Sequence, residues 1–233
     1  MEYILTISRY KREEKKEYYE SFKFETDNVN ETVISALKKI NSQEIILNIN
    51  NEVSTKIEFE CACIQKKCGA CAMVINGIPK LACDAKLKDY DKSIKIEPLR
   101  KFNRISDLIV DRTILYENLK TLKIWLEKDS NIIDKRRELN YKTSECLLCG
   151  ICLEVCPNFY LGSNFFGMPS IILTTRLLTE LDKEDRKIIS KLYSKHCFAG
   201  CGKSLACKNR CPKKIETDKM LVNGNLLAIW KRK

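Results

Sequence analysis

The sequence predicts an α+β N-terminal domain followed by an all-α C-terminal domain, each organised around clustered cysteines. Apolar and polar residues alternate in short runs before the RKFNR stretch at 100–104, which is typical of strands. Beyond that stretch, apolar residues recur at helical spacings. The 13 cysteines fall into three groups, one in the first part and two in the second. We therefore predict domains at 1–103 and 104–233.

Strands and one helix account for the first domain. Four runs predict strands: EYILTISRY (2–10), ESFKFET (20–26), CAMVING (71–77) and SIKIEPL (93–99). The third run ends in Asn-Gly, which is a turn signal. Between the second and third runs, NETVISALKKIN (30–41) places Val33, Leu37 and Ile40 on one side of a short helix.

Three helical stretches account for most of the second domain. They are SDLIVDRTILYENLKTLKIWLEK (106–128), SIILTTRLLTEL (170–181) and KEDRKIISKLYSK (183–195). The first opens with a cap-like Ser-Asp and carries Leu108, Leu115, Leu119, Leu122 and Trp125 at helical spacings. Two cysteine groups interrupt these helices.

Composition and charge exclude several classes of protein. The net charge is +11, but basic residues are interleaved with acids, as in KREEKKE and DKEDRK, so we expect a solvated surface and no nucleic-acid partner. No apolar run approaches the length of a membrane span, and the N-terminus lacks a signal-peptide core. We therefore expect a cytosolic chain, in which clustered cysteines bind metal or do redox chemistry rather than form disulfides.

The first cysteine group has the spacing of a plant-type [2Fe–2S] ferredoxin. Cys63, Cys68 and Cys71 follow C-x4-C-x2-C, and Cys83 lies downstream. Such a loop curls around an anionic core and needs a residue such as Gly69 that adopts positive φ without steric cost. This predicts a ferredoxin-like, β-grasp domain. Cys61 has no place in the pattern and is interpreted as a buried or spare thiol. A zinc site is the alternative for the group.

The second group is the bacterial ferredoxin run, C-x2-C-x2-C-x3-C-P. Cys146, Cys149 and Cys152 have the spacing to hold three corners of one cubane cluster. Cys156 comes one residue late, before Pro157, and in two-cluster ferredoxins this cysteine ligates the other cluster. The first cluster therefore lacks a fourth ligand, and Cys156 needs a second cluster.

The third group supplies the missing ligands. Cys207, Cys211 and Pro212 repeat the C-x3-C-P ending, so Cys211 is the predicted fourth ligand of the [4Fe–4S] cluster. Cys156, Cys201 and Cys207 then hold a further cluster. Three ligands fit [3Fe–4S], whereas Cys197 as a fourth ligand would make it [4Fe–4S].

These motifs resemble the iron–sulfur subunit of succinate dehydrogenase and fumarate reductase over nearly the whole chain. The resemblance lies in CIQKKCGACAMVINGIPKLAC (63–83), IKIEPL then SDLIVD (94–111), ECLLCGICLEVCPNFYLG (145–162) and CGKSLACKNRCP (201–212). It implies a separate flavoprotein subunit that carries FAD and interconverts succinate and fumarate. It also implies electron transfer through [2Fe–2S], [4Fe–4S] and [3Fe–4S] clusters to a quinone beside membrane anchor subunits. This chain would then be the electron-transfer subunit, without a substrate-converting site, peripheral on the cytoplasmic face of the membrane.

Details of the third cluster bear on its electron acceptor. Relatives with [4Fe–4S] there carry an extra cysteine where this chain has Ser204, which favours [3Fe–4S]. Quinone-reducing relatives often have tryptophans where this chain has Tyr160 and Leu161, and a histidine where it has Gly202. The lone histidine, His196, is interpreted as a surface or packing residue, and the aromatic residues of NFYLGSNFFG are typical of packing. The alternative function is the same relay in a soluble or thiol- or heterodisulfide-linked fumarate reductase-type complex. A zinc-stabilised binding protein is the hypothesis from another class.

Overall fold

The computed structural model describes residues 1–126 and 137–230 and divides into two compact units, Met1–Asp111 and Arg112–Lys233. The strands, all in the first unit, are β1 Glu2–Lys11, β2 Lys16–Glu25, β3 Ile46–Leu47, β4 Val53–Ser54, β5 Ala72–Ile75, β6 Ile78–Leu81, β7 Ser93–Glu97, β8 Asn103–Arg104 and β9 Val110–Asp111. The helices are α1 Val33–Asn41, α2 Thr113–Thr121, α3 Arg137–Ser144, α4 Ile151–Glu154, α5 Met168–Glu180, α6 Lys183–Tyr193 and α7 Thr217–Asn225. The prediction of a sheet-rich N-terminal part and a helical C-terminal part is confirmed.

A five-stranded mixed sheet forms the first unit, in the order β2–β1–β7–β5–β6. β1 and β7 run parallel and the other neighbours are antiparallel. Leu5 and Ile7 of β1 and Ile94 and Ile96 of β7 are fully buried, because alternate residues of a strand face the same side of a sheet. All four predicted strand runs correspond to strands of this sheet.

Helix α1 is fixed at its start by a capping box. The Ser35 amide donates to the Thr32 hydroxyl oxygen at 3.3 Å, and the Thr32 amide donates to the Ser35 hydroxyl oxygen at 2.9 Å. The Val33 and Ile34 amides donate to the carbonyl oxygens of Ala85 and Ala82, at 2.9 and 3.2 Å. The start of α1 therefore holds the short segment that carries Cys83.

Residues 104–111 belong to the first unit, and the helix predicted from Ser106 is wrong in this part. Asp107 accepts hydrogen bonds from the Tyr10 amide (2.8 Å) and the Glu58 amide (2.9 Å), and its carboxylate lies 3.3 Å from buried Arg9. β8 and β9 also pair, which extended backbone allows and helix does not.

The helix itself spans Thr113–Thr121, so the prediction is also wrong at residues 122–126, which include Leu122 and Trp125. The last two residues of the predicted stretch, 127 and 128, lie outside the described residues. The first structural unit ends at Asp111, later in the chain than the boundary predicted after residue 103. Contacts of Arg104 explain this: its guanidinium donates to the carbonyl oxygens of Ser8 (2.9 Å) and Asp107 (2.6 Å).

Helix α5 is the centre of the second unit and packs against α3, α6 and α7. It begins after Gly167, whose φ of +77° is costly for other residues, and carries Pro169 in its first turn. A side chain at Gly224 of α7 would lie 2.6 Å from the Thr175 hydroxyl oxygen, so glycine lets α7 approach α5 closely. The two later predicted helices are confirmed as α5 and α6. No helix among the described residues is long and apolar enough to cross a bilayer.

Candidate iron–sulfur sites

The first cysteine loop is shaped by left-handed backbone and by amides that point at sulfur. Ile64, Lys66 and Gly69 have φ of +55°, +56° and +79°. The amides of Gln65 and Lys67 donate to Cys63 Sγ at 3.3 and 3.2 Å. Successive amides arranged in this way form a concavity that favours an anion, as the sequence predicts for a loop around a cluster.

The thiols of this loop differ in their protonation. The two amide hydrogen bonds lower the pKa of Cys63 to about 7, because they stabilise the thiolate. Burial raises the pKa of Cys71 to about 12, with the neighbouring thiols of Cys83 and Cys68 contributing. Cys68 is exposed, whereas Cys71 and Cys83 are buried against the sheet. Of the four predicted [2Fe–2S] ligands, three thus lie on one partly open loop, and Cys83 lies on the segment after β6.

An ion pair spans the two segments that carry these thiols. The Lys66 ammonium lies 2.5 Å from the Asp84 carboxylate, next to Cys83. Both side chains are about half exposed, so the pair is screened by water and contributes little to stability. It nonetheless connects the long cysteine loop to the segment of the fourth cysteine.

Two cavities in the helical unit bring the remaining predicted ligands together. One is lined by Cys146, Cys149, Cys152 and Cys211 with Pro169, Ile172 and Thr217. Cys211 thus lies beside the CLLCGIC run, although the two are far apart in the sequence. The local backbone again includes left-handed residues, Leu148 (+51°) and Gly150 (+86°).

The other cavity is lined by Cys156, Cys201 and Cys207 with Ser204. Cys152 also lines this cavity, so the two sets of thiols lie close to one another. Lys203 and Leu205 have φ of +55° and +54° in the loop that carries Ser204. Assignment of each thiol to one cluster stays a prediction.

Burial dominates the protonation of the thiols in the helical unit. It raises the pKa of Cys146 to about 12 and that of Cys149 to about 11, opposed by the amides of Leu148 and Ile151. The pKa of Cys152 is raised well above its ordinary value by burial and by the thiols around it. Buried neighbouring thiolates repel one another, and bound iron supplies the positive charge that removes this cost.

Three residues of interest lie away from the cavities. Cys197 is fully buried in the π-helical segment Ser194–Phe198, and burial raises its pKa strongly, but it lines neither cavity. Cys61 is half-buried. His196 is a buried packing residue: its ring stacks on Phe166 at 4.2 Å, and its Nδ1 lies 3.0 Å from the Asn164 carbonyl oxygen.

The aromatic residues after the second cysteine group divide into packing and surface residues. Phe159, Phe165 and Phe166 are buried, as their packing role predicts, and Phe165 lines the Cys156 cavity. Tyr160 is 66% exposed. It therefore presents its ring at the surface.

The donor sets fit iron–sulfur clusters. Thiols, apolar side chains and inward-pointing amides line the sites, and thiolates are the ligands that such clusters take. Within the described residues, no three His, Cys, Asp or Glu side chains are arranged to hold a single metal ion. The ligands of a cluster surround several irons and their sulfides, so they lie farther apart than the ligands of one ion.

Sequence reasoning missed two residues of these sites. Asn158 lines the Cys156 cavity, and its side chain lies against Gly202, where a Cβ would come within 2.9 Å of the amide oxygen. Thr217 lines the Cys146 cavity. Its position before Asp218 is typical of a helix start, but nothing in the spacing indicates that the side chain is buried.

Family models agree with this arrangement. The model described as a 2Fe-2S iron-sulfur cluster binding domain matches residues 4–117, and the model described as a 4Fe-4S dicluster domain matches residues 142–215. The fold and sites thus define a protein with a [2Fe–2S] domain followed by a dicluster domain, the class of iron–sulfur electron-transfer proteins.

Similar proteins give the family. The succinate dehydrogenase iron-sulfur subunit of Bacillus subtilis is 34% identical over 80% of this chain and 77% of its own length. The fumarate reductase iron-sulfur subunit of Escherichia coli is 28% identical over 76% of this chain and 77% of its own length. The chain belongs to the family of iron–sulfur subunits of succinate dehydrogenase and fumarate reductase.

Two further comparisons extend this result. An iron-sulfur protein of Methanocaldococcus jannaschii, described as uncharacterized, is 33% identical over 91% of this chain, which spans only 40% of that protein. A chain in the structure of the Mycobacterium smegmatis Sdh1 complex in the apo form has a TM-score of 0.81 at 19% identity, covering 100% of this chain and 98% of that chain. The second comparison shows a shared fold.

Proposed function

We propose that this protein is the electron-transfer subunit of a succinate dehydrogenase or fumarate reductase complex, relaying electrons between FAD on a flavoprotein subunit and a quinone. The observation that carries the proposal is the meeting of distant cysteines in two adjoining cavities of the dicluster unit, in a chain of this family. The clusters, when bound, supply one-electron transfer. The protein contributes ligands, hydrogen-bond donors and a dry environment that set the reduction potentials.

The proposed ligand sets follow the three sites. Cys63, Cys68, Cys71 and Cys83 would hold [2Fe–2S], and Cys146, Cys149, Cys152 and Cys211 would hold [4Fe–4S]. Cys156, Cys201 and Cys207 would hold [3Fe–4S]. The lining of the two cavities supports an exchange of ligands between the second and third cysteine groups: Cys211 lies with the second group, and Cys156 lies with the third. Ser204 in the second cavity, where a fourth thiolate would be needed for [4Fe–4S], supports [3Fe–4S].

The fold and location are proposed on the same basis. A mixed five-stranded sheet with one helix and a cysteine loop supports a plant-type ferredoxin-like, β-grasp fold for the first unit. We propose that the chain lies on the cytoplasmic face of the membrane, held there by a flavoprotein subunit and by anchor subunits with a quinone site. The named relatives support these partners, because succinate dehydrogenase and fumarate reductase act as complexes.

A second candidate is the same relay in a soluble or thiol-linked fumarate reductase-type complex without a quinone site. The long Methanocaldococcus jannaschii relative favours it, since a similar chain there forms part of a protein of more than twice the length. The exposed Tyr160 and the Gly202 position also depart from quinone-reducing relatives.

Anaerobic purification of the intact complex, with EPR of oxidised and reduced samples, tests the proposal. We expect signals from three clusters, a copurifying FAD protein and reduction of the clusters by succinate. Reduction by thiols in a complex without hydrophobic anchor subunits would establish the second candidate instead. A colourless preparation with stoichiometric zinc would contradict both.

A further inference from the structure

Helix α7 begins at the wall of the Cys146 cavity, and its first residue carries a buried hydroxyl. Thr217 lines that cavity together with Cys146, Cys149 and Cys211. The residue is 1% exposed, and its Oγ1 has no hydrogen-bond partner among the described residues. A buried hydroxyl without a partner is costly, so its presence calls for a group to which it donates.

The N-terminus of α7 also favours a negatively charged group in this cavity. α7 spans nine residues, and no side chain of the described part of the chain caps its N-terminus at Glu216. The unpaired amides of a helix N-terminus carry partial positive charge and favour an anion close to them along the helix axis. A cluster ligated by thiolates is such an anion.

The side chain of Thr217 also lies beside the second set of thiols. Burial raises the pKa of Cys207, and the Thr217 hydroxyl opposes this effect without forming a hydrogen bond of ordinary geometry. Thr217 therefore has two sulfur environments within reach: the Cys146 cavity that it lines and the Cys207 thiol. The Thr217 hydroxyl makes no hydrogen bond of ordinary geometry with Cys207, and it lines the Cys146 cavity, where a cluster would bring a further sulfur acceptor.

We propose that the Thr217 hydroxyl donates a hydrogen bond to a sulfur of the cluster held by Cys146, Cys149, Cys152 and Cys211, and thereby raises its reduction potential. The inference rests on the proposed function. Reduction adds negative charge to the cluster, so a donor stabilises the reduced form more than the oxidised form. The N-terminus of α7 acts in the same direction.

The test is a potentiometric EPR titration of the assembled complex with Thr217→Val and Thr217→Ser. Valine keeps the shape and removes the donor, whereas serine keeps the donor. We expect Thr217→Val to lower the midpoint potential of the [4Fe–4S] cluster, so that its reduced-to-oxidised ratio at fixed potential falls several-fold. Thr217→Ser should keep the wild-type potential, and the other two clusters should keep theirs in both variants.

Thr174→Val is the matched control. Thr174 on α5 is fully buried with an unpartnered Oγ1, like Thr217, but it lines neither cysteine cavity. Its replacement should leave all three potentials unchanged. Equal potentials in wild type and Thr217→Val would overturn the inference, as would a shift confined to the [3Fe–4S] cluster.

Loss of the cluster is also a decisive outcome. If Thr217→Val loses the [4Fe–4S] signal while Thr217→Ser retains it at the wild-type potential, the hydroxyl is required and the inference stands. If both variants lose it, the shape of the side chain matters rather than the hydroxyl, and the inference fails. Absence of a [4Fe–4S] signal in the wild-type complex would instead contradict the proposed function.

Discussion

The two cysteine-bearing regions differ in how their thiols are brought together. In the first, all four thiols lie between Cys63 and Cys83, and the loop's own amides point at sulfur. In the second, Cys211 joins Cys146, Cys149 and Cys152 only because α4, α5 and the chain before α7 pack together. The first site is thus shaped mainly by its own loop, with α1 holding the segment of Cys83, whereas the second depends on the packing of segments distant in sequence.

This difference extends to protonation. Partly exposed Cys63 has a pKa lowered to about 7, whereas buried Cys146 and Cys149 have pKa values raised to about 12 and 11. The local site thus includes a thiol ready to bind iron near neutral pH. The buried sites depend on iron to offset the cost of placing several thiolates together, so they should assemble only as the helical unit folds.

The largest expected effect is from Cys211→Ser. We predict loss of the [4Fe–4S] signal with the [2Fe–2S] signal intact, because the missing ligand belongs to the buried site alone. EPR of the reduced protein measures this. Cys197→Ser is the control, since Cys197 is buried in the same unit but lines neither cavity. Retention of full [4Fe–4S] intensity in Cys211→Ser would show that the two regions do not differ in this way.

A smaller effect is expected on the stability of the first unit, which carries the first cysteine loop. Asp107→Ala leaves the Arg9 guanidinium buried and removes the acceptor for the Tyr10 and Glu58 amides. We expect the first unit to lose about 1–3 kcal/mol of stability for the amides left without an acceptor, because Glu20 still lies 3.6 Å from the Arg9 guanidinium. Hydrogen exchange of the β1 amides measures the loss.

The exposed pair of Glu2 and Lys23 provides the control for this prediction. Glu2→Ala should have almost no effect on stability, because water screens the pair. Equal losses in the two variants would show that the Arg9–Asp107 pair is not what holds residues 104–111 to the sheet.

Alkylation rates of the apoprotein test the contrast in protonation. Cys63 should react fastest with iodoacetamide and reach half its maximal rate near pH 7, since the thiolate forms as pH rises through its pKa. Cys146 and Cys149 should react slowly up to pH 9, because their raised pKa values keep them protonated. Mass spectrometry of digests follows each site. Faster labelling of Cys149 than of Cys63 would contradict the assigned environments.

The smallest effects on the clusters are expected for Cys61→Ser and Cys197→Ser. All three EPR signals should remain in both variants, because neither residue belongs to a proposed ligand set. Cys197→Ser should still cost about 1–3 kcal/mol, since it buries a hydroxyl, whereas half-exposed Cys61 should cost almost nothing. Thermal unfolding separates the two, and loss of any cluster signal would assign a ligand role to the replaced residue.

The sequence predicted what depends on local pattern. The strand runs, α1, α5 and α6 follow from alternation, helical spacing and caps, and the three cysteine groups follow from their spacing. The prediction of a helix was wrong from Ser106 to Arg112. The sequence there has a helical pattern, but Asp107 bonds to β1 and to the Glu58 segment instead. Long-range hydrogen bonds of this kind leave no periodic signal.

Contacts between distant segments also determine which side chains are buried around the cysteines, and the sequence pattern does not show them. The spacing of the cysteines identifies candidate ligands but not their surroundings. The hydroxyl of Thr217, the stacking of His196 on Phe166 and the contact of Asn158 with Gly202 arise from segments that meet only in the folded unit.

The exchange of Cys156 and Cys211 between the two clusters of the helical unit is tested by EPR of the Cys156→Ser protein in its oxidised and reduced states. Wild-type protein measured under the same conditions is the reference. We predict loss of the [3Fe–4S] signal of the oxidised protein while the [4Fe–4S] signal of the reduced protein remains. Loss of the [4Fe–4S] signal alone would contradict the exchange.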